Sequence, residues 1–177
     1  MSLWWLFTFL ILERMLELLI SAKNKYSAFR SGGQEFYRES YSMMVGLQVL
    51  FFIALILESF PWQIPLDMLT WIGLTMIVLC QLLRYWCVMT LGSRWNTRII
   101  LIPNSSVIRT GPYRFMRHPN YLVVTLEFAI IPLVARAPFT LFVFSVANLL
   151  VLQQRITLEE QALREFTDYD QHFPTRR

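Results

Sequence analysis

Residues 64–83 read IPLDMLTWIGLTMIVLCQLL, 20 residues with a single charged side chain, and this stretch sets the class of fold. At 1.5 Å per residue, a helix of this length spans the roughly 30 Å hydrocarbon core of a bilayer. The rest of the chain agrees, because 55% of its 177 residues are hydrophobic and 16% are charged. The composition excludes an ordinary soluble domain and predicts an integral membrane protein.

Four further apolar segments flank this one, two before it and two after it. The first two are long enough to cross a bilayer, while the last two hold about 15 residues each, roughly 22 Å of helix. Only Arg136 and Ala137 separate the last two, so we expect a short helical hairpin. The sequence thus predicts an all-α integral membrane protein that forms one domain over residues 1–177. Its five transmembrane helices are expected at about residues 3–20, 41–60, 64–90, 119–135 and 138–165.

Basic residues are distributed unevenly among the connecting segments. The link from Phe60 to Pro65 carries none, whereas the loops after the first and third helices and the carboxyl end carry many. The positive-inside rule then places the amino terminus outside and the carboxyl terminus in the cytoplasm. The net charge of +4 reflects topology first and attraction to anionic lipids second, and it indicates no nucleic-acid partner. The basic residues concerned are Lys23, Lys25, Arg30, Arg38, Arg94, Arg98, Arg109, Arg114, Arg117, Arg164, Arg176 and Arg177.

The segment Gly111–Leu122, GPYRFMRHPNYL, places two arginines, a histidine and two tyrosines against the start of an apolar stretch. Pro119 suits the first turn of a helix, so a helix is expected to begin here with free backbone N–H groups aimed at the polar side chains. A helix start beside arginines is an anion site, and the rings of Tyr113 and Tyr121 offer faces for a heterocycle or a cation. The segment therefore predicts an anionic or zwitterionic ligand that contains a ring.

A charged stretch follows the fifth apolar segment. Apolar residues recur at helical spacing over residues 158–166, so the fifth helix is expected to continue as an amphipathic cytoplasmic extension. Arg155 and Glu159 are four residues apart, as are Glu160 and Arg164. Surface pairing worth roughly 0.3 to 0.5 kcal/mol would explain each pair alone. Because they are expected on the same membrane side as the helix start, a shared pocket is the favoured interpretation.

Taken together, these two polar segments resemble the isoprenylcysteine carboxyl methyltransferase family. The resemblance rests on Gly-Pro-Tyr-Arg-x-x-Arg-His-Pro-Asn-Tyr-Leu at 111–122 and on Arg-x-x-x-Glu-Glu at 155–160, and it extends back through residues 91–98. Membrane methyltransferases that act on phospholipids, and the carboxyl-terminal part of membrane sterol reductases, share the Arg-His-Pro and Glu-Glu elements. The motif pair specifies the superfamily more firmly than the substrate.

The resemblance implies a methyltransferase that uses S-adenosylmethionine, releases S-adenosylhomocysteine and takes a lipophilic small-molecule acceptor from the bilayer. Arg117 and Arg155 would hold the acceptor's anionic oxygen, and Glu160 completes the predicted catalytic set. His118 would serve as a base for a phenolic acceptor, or alternatively only as a helix-capping residue. The cofactor would be held by Tyr113, His118, Pro119, Asn120, Tyr121, Leu122 and Glu159.

The acceptor is predicted less directly. Eukaryotic members generally have glycine shortly after the Arg-His-Pro motif, where this chain has Val123 and Val124. The chain is closer to small bacterial members, some of which resemble methyltransferases of alkylpyrones or alkylresorcinols, so a bacterial cell membrane is expected. The alternatives are isoprenylcysteine carboxyl methylation, phospholipid methylation, a non-catalytic membrane scaffold and a reductase with a nicotinamide cofactor.

Polar side chains within the apolar segments have their own predictions. Arg84 and Glu127 lie deep, and Glu127 is expected to meet Arg84 or Gln81. Cys80 and Cys87 are expected to pack in the interior, and no metal site is predicted. Three charged residues of the first helix are expected to reach the interface by snorkelling, with substrate binding as the alternative. These are Glu13, Arg14 and Glu17.

Overall fold

Long helices dominate the computed structural model, which describes residues 1–173. The helices begin and end within a few residues of their predicted bounds, except that the first runs ten residues further. Arg176 and Arg177, two of the basic residues that predict the orientation, lie outside the described residues. The helices are α1 (Trp4–Arg30), α2 (Arg38–Glu58), α3 (Met68–Leu91), α4 (Pro119–Val134), α5 (Pro138–Phe166) and the short α6 (Tyr169–His172).

Three of these helices are long and apolar enough to cross a membrane: α2, α5, and α3 with the turn that follows it. Helix α4 is apolar but has only 16 residues, about 24 Å at 1.5 Å per residue. Helix α1 is interrupted by charged residues in its middle. The chain is thus a mostly helical integral membrane protein with three segments that meet the requirement for spanning by length and composition.

Side chains from neighbouring elements define where the helices start. Asp67 precedes α3 and its Oδ1 accepts from the backbone N–H of Thr70 at 2.9 Å, the bond expected of an N-cap. The start of α5 is held by another helix, because Glu58 at the end of α2 accepts from the backbone N–H groups of Phe139 and Thr140 at 2.7 Å each. This contact satisfies two of the donors that a helix start leaves free.

The apolar core lies between α1, α2, α3, α4 and α5. The rings of Phe51 and Phe128 lie 4.3 Å apart between centroids and join α2 to α4. Helix α3 packs closely against α4 at Gly73, where an added Cβ would lie 2.2 Å from Val134 Cγ2. A residue without a side chain is therefore required at this contact.

A small two-stranded sheet lies outside the helices, in a chain whose sequence predicted helices alone. Strands β1 (Gln34–Phe36) and β2 (Ile99–Leu101) pair antiparallel, and they connect the loop after α1 to the loop after α3. An ion pair also joins the two loops, because Arg98 Nη1 lies 2.6 Å from Glu35 Oε1. Three-residue strands are too short to show a period of two, which is why the pattern did not reveal them.

Candidate functional site

A cavity of about 280 Å³ lies where the ends of α1, α3, α4 and α5 meet the loop between α3 and α4. Its size is close to the lower end of the range for pockets that hold small molecules, about 300 Å³. Seven of the residues proposed from the sequence line it, drawn from two segments that are far apart in the chain. They are Tyr113, Arg117, His118, Asn120, Tyr121, Arg155 and Glu159.

The start of α4 forms one wall of the cavity. Helix α4 begins at Pro119 as predicted, with His118 at the N-cap position. Although it occupies this position, the His118 side chain makes no capping hydrogen bond to the helix start. Its ring instead stacks on Tyr121, with 5.5 Å between centroids and 28° between planes. The two rings present a continuous aromatic surface at the edge of the cavity.

Glu160 of α5 contacts residues of this wall and residues of the carboxyl-terminal segment. Its Oε1 lies 3.2 Å from His118 Nε2 and 3.4 Å from Arg117, and it accepts from the Tyr169 hydroxyl at 3.0 Å. Its Oε2 lies 3.6 Å from Arg164, the pairing expected from their spacing. Burial raises the pKa of the Tyr169 phenol above its ordinary value, and the bond to Glu160 raises this pKa further. Tyr169 therefore stays a hydrogen-bond donor at neutral pH.

Arg155 is buried at the centre of the site, with 3% of its surface exposed. Its Nη1 donates to Ser40 Oγ at 3.3 Å, its Nη2 to the Thr97 carbonyl at 2.5 Å and its Nε to the Tyr121 hydroxyl at 2.9 Å. The Tyr121 hydroxyl in turn donates to Glu159 Oε2. The Arg155 and Glu159 side chains are thus linked through a tyrosine, and the guanidinium is fixed by three uncharged oxygens.

Two polar side chains near the start of α4, those of Asn120 and Tyr113, line the cavity in an uncharged state. Asn120 Oδ1 is buried, lines the cavity and has no hydrogen-bond partner among residues 1–173. Burial raises the pKa of the Tyr113 phenol well above its ordinary value, so this side chain stays neutral beside Cys87. An orphan amide oxygen, the carboxylate of Glu159 and several aromatic faces together suit a ligand with amino or hydroxyl donors and a heteroaromatic ring.

Three residues proposed from the sequence do not line this cavity. Leu122 is 38% exposed, and Pro119 is buried in the first turn of α4, where it sets the start of the helix. Glu160 lies behind the wall and contacts the side chains that line it. Of the ten residues proposed from the sequence, seven therefore line the cavity and three do not.

Two charged residues of α1 are buried inside the protein, so the snorkelling prediction is wrong for Glu13 and Glu17. Both are 4% exposed and face Arg84 of α3, which is 1% exposed. Arg84 Nε lies 3.3 Å from Glu13 Oε1, and its Nη1 lies 2.7 Å from Glu17 Oε1. A charged partner on another helix replaces the water that snorkelling would have supplied.

The same arginine also pairs with Glu127 of α4, as predicted, and Gln81 Nε2 donates to Glu127 Oε1 at 2.8 Å. Arg14 bridges Glu17 at 2.6 Å and Glu127 at 2.8 Å. We call these five charged residues of α1, α3 and α4 the ion cluster: Glu13, Arg14, Glu17, Arg84 and Glu127. Three of its members line the cavity, Arg14, Glu17 and Arg84, so the cluster forms a second polar wall. The sequence signal for it was the spacing of Glu13 and Glu17 by one helical turn.

The segment after α5 packs against the loop between α3 and α4. The backbone N–H of Val107 donates to Asp168 Oδ1 at 2.7 Å. The ring of Phe173 lies under two guanidinium groups, 5.0 Å from Arg109 and 5.2 Å from Arg117. This segment therefore covers the loop that carries the cavity.

Comparisons with known proteins identify a family over the part of the chain that contains α4 and α5. Residues 71–165 match the isoprenylcysteine carboxyl methyltransferase family, a range that contains both polar segments of the α4–α5 wall. Protein-S-isoprenylcysteine O-methyltransferase B of Arabidopsis thaliana is 30% identical over 146 residues, which are 76% of this chain and 72% of that protein. No solved structure matches the chain.

Bacterial relatives match over greater lengths. A Bacillus subtilis (strain 168) protein described as uncharacterized is 35% identical over 165 residues, which cover 93% of this chain and 98% of that protein. A Haemophilus influenzae protein, also described as uncharacterized, is 23% identical over 158 residues, 89% of this chain and 92% of its own length. The similarity to these proteins therefore extends into α1 and α2, outside the range that matches the family.

Proposed function

Because the chain belongs to the isoprenylcysteine carboxyl methyltransferase family, we propose that it transfers a methyl group from S-adenosylmethionine to an oxygen atom of a lipophilic acceptor. The observation that carries the proposal is the cavity wall in which buried Arg155, Tyr121 and Glu159 form one hydrogen-bonded chain. This wall combines a fixed positive charge, an aromatic face and a carboxylate, which are the groups that a methyl donor and an acidic acceptor require together.

The residues of the α4 side fit the methyl donor. S-adenosylmethionine supplies an electrophilic methyl group, and it carries an ammonium, ribose hydroxyls and an adenine ring. Glu159 and the orphan Oδ1 of Asn120 are the acceptors for its N–H and O–H donors. The stacked rings of His118 and Tyr121 suit the adenine or the sulfonium. Tyr113 also lines the cavity and adds a further aromatic ring.

The two arginines suit the acceptor. Arg155 makes its three hydrogen bonds to uncharged oxygens, so its charge is available to an oxygen that is anionic or becomes so. Arg117 also lines the cavity and is partly exposed. Methyl transfer is an in-line displacement, in which correct positioning of the two reacting atoms contributes much of the rate. We infer that Arg117 and Arg155 hold the acceptor oxygen, and that Glu160 orients His118 and Arg117.

The membrane arrangement belongs to the same proposal. We infer that α1 and α4 cross the bilayer with the three longer apolar helices, with the amino terminus outside and the cavity near the cytoplasmic face of a bacterial cell membrane. The uneven distribution of basic residues supports this orientation. A lipophilic acceptor would then reach the cavity from the bilayer without passing through water.

The experiment that tests the function is binding followed by turnover. The purified protein in lipid nanodiscs should bind S-adenosylhomocysteine in calorimetry. It should also transfer a labelled methyl group to one of four acceptors: a prenylcysteine, an alkylpyrone, an alkylresorcinol or a phospholipid. The Arabidopsis relative's name favours the first, whereas Val123 and Val124 favoured the polyketides. Absence of S-adenosylhomocysteine binding by folded protein would overturn the proposal and support a non-catalytic scaffold.

A further inference from the structure

Two amide side chains lie in the middle of the apolar helices α2 and α5, and we call them the amide pair: Gln48 and Asn148. Gln48 is the eleventh of the 21 residues of α2, and Asn148 lies seven residues before Arg155 on α5. Both helices are apolar enough to be surrounded by hydrocarbon, where an amide without a hydrogen-bond partner is costly. Apolar packing alone therefore does not explain the amide pair.

Contacts between α2 and α5 place the two amides at one level of the helix bundle. Ser40 Oγ accepts from Arg155 at 3.3 Å, and the rings of Phe51 and Phe144 lie 5.8 Å apart between centroids. These two contacts are eleven residues apart along α2 and eleven residues apart along α5, so the antiparallel register is the same at both. In this register the members of the amide pair lie opposite each other.

The cavity extends from Arg155 to the amide pair. Gln48 lines it from α2, together with Met44, and Arg155 lines it from α5. Seven residues of α5, about 10.5 Å of helix, separate the level of Arg155 from that of the amide pair. One helical turn further on lies the apolar core, where the ring of Phe51 contacts the ring of Phe128. The amide pair thus marks the deep end of the cavity.

The hydrogen bonds of the amide pair are not satisfied within the described residues. Side-chain hydrogen bonds between α2 and α5 in residues 1–173 are made by Ser40 and Glu58, and none joins Gln48 to Asn148. Asn148 is 2% exposed, and its Nδ2 has no partner in this part of the chain. The Gln48 side chain is partly exposed. An oxygen atom in the cavity is therefore the partner that these donors lack.

We propose that the amide pair is a second binding contact for the methyl acceptor, and that the acceptor carries a carbonyl oxygen on its chain. Gln48 Nε2 donates to this carbonyl, and Asn148 Nδ2 donates to Gln48 Oε1. The carbonyl lies about nine bonds from the reacting oxygen held by Arg155, because an extended chain advances roughly 3.5 Å for every three bonds. The inference rests on the proposed function and adds a requirement for the chain of its acceptor.

A chain of hydrocarbon alone fits this end of the cavity poorly. Such a chain displaces the water that an empty cavity supplies to the amides and offers no hydrogen bond in return. A keto, ester or amide carbonyl restores the bond to Gln48. Discrimination between the two chains therefore comes mainly from the cost of leaving a polar group of the site without a partner.

The test uses long-chain fatty acids, whose carboxylate suits Arg155, with the protein in lipid nanodiscs. The acids differ only in one keto group, which is absent, close to the carboxylate, about nine bonds from it, or close to the chain end. Affinity is measured as the concentration of acid that raises the thermal midpoint by half of the maximal shift. Wild type should bind the acid with the keto group about nine bonds away roughly tenfold more tightly than the plain acid, the effect of one hydrogen bond.

Variants of the amide pair separate ligand binding from a structural role. Gln48→Leu should remove the preference for the keto acid and keep the affinity for the plain acid, and Asn148→Leu should reduce the preference by a smaller factor. Without ligand, both variants should keep or raise the thermal midpoint, because each replaces an amide without a partner by an apolar side chain. Gln153→Leu, at an exposed amide of α5 outside the cavity, is the matched control and should keep the preference.

Several results would overturn the inference: equal affinity of wild type for all the acids, no measurable binding of any of them, or a keto preference that Gln48→Leu keeps. A lower thermal midpoint in both single variants that the double variant recovers would also overturn it, because the amides would then bond only to each other. Binding of S-adenosylhomocysteine, measured by calorimetry, reports that each variant is folded. Failure of the wild-type protein to bind S-adenosylhomocysteine would instead overturn the proposed function.

Discussion

Arg155 Nε donates to the Tyr121 hydroxyl at 2.9 Å, and this bond joins the middle of α5 to the first turn of α4. The Tyr121 hydroxyl also donates a hydrogen bond to Glu159, so this phenol connects the buried guanidinium of Arg155 to a carboxylate. The two polar segments recognised in the sequence are therefore parts of one hydrogen-bonded structure.

Tyr121→Phe should affect stability and ligand binding together. The substitution leaves a buried guanidinium N–H and a carboxylate oxygen without a partner, which costs about 1–3 kcal/mol. We expect a lower thermal midpoint in detergent and weaker binding of S-adenosylhomocysteine in calorimetry. Tyr26→Phe, at an exposed tyrosine of α1, should leave both unchanged. Full stability with full affinity in Tyr121→Phe would show that the hydroxyl link has no role.

Arg155→Lys should separate positioning from charge. Lysine keeps the positive charge, but it cannot reach Ser40, Thr97 and Tyr121 with one ammonium group in the planar geometry of a guanidinium. We expect turnover to fall by about 100-fold, because misplacing a reacting atom by 1 Å costs on this order. Arg164→Lys, at a pair on the outer side of α5, is the control. A turnover within a factor of two of wild type would contradict the assignment of Arg155.

Glu35 should make stability depend on pH through the two-stranded sheet. Burial would raise the pKa of this carboxyl, but the hydrogen bond and charge of Arg98, with Lys25, lower it below its ordinary value of 4.5. A lowered folded-state pKa contributes stability that is present above the unfolded-state pKa and is lost as pH falls through the folded-state pKa. The wild-type thermal midpoint should thus decrease below about pH 4.5.

Glu35→Gln should be less stable than wild type at pH 7 and should approach it at low pH. The measurement is the thermal midpoint of both proteins over a series of pH values in the same detergent. A constant difference between the two proteins across the series would contradict the ion-pair interpretation and would indicate a packing role for the side chain.

Gly73→Ala should destabilise the contact between α3 and α4. The added methyl would lie 2.2 Å from Val134 Cγ2, so the helices must separate, at a cost of about 1–3 kcal/mol. Gly73→Ala combined with Val134→Ala removes the clash and should recover part of the loss. Gly46→Ala in α2, where an added Cβ meets nothing within 4 Å, is the matched control. Equal stability of the two single variants would show that α3 and α4 do not pack closely at Gly73.

The sequence predicted the helices well because apolar length alone determines them, as residues 64–83 illustrate. It also predicted that the segment at 111–122 meets the one at 155–160, since both were placed on one side of the membrane. The contact between His118 and Glu160 confirms this proximity, while the roles of the individual residues stay predictions. Arg84 was expected to meet Glu127, and it does.

The features that the sequence did not predict depend on contacts between segments that are far apart in the chain. Glu13 and Glu17 were interpreted as residues that reach water, because nothing within α1 shows that Arg84 lies opposite them. The pairing of β1 with β2 joins loops about 60 residues apart, and neither strand is long enough to have a pattern. Only the motif predicts a role for Leu122, and its exposed position is determined by which face of α4 packs inward.

Helix α5 is attached to both ends of α2: Glu58 caps the first turn of α5, and Ser40 accepts from Arg155 in the middle of α5. Two antiparallel helices fixed at two points have no freedom to slide, so the number of residues between the attachments determines where Arg155 lies. Inserting one residue into α2 between Ser40 and Glu58 would rotate the helix by about 100° and lengthen it by about 1.5 Å, so that both attachments cannot be kept. The spacing within α2, a helix that contributes little to the cavity, therefore helps to fix where Arg155 lies in it.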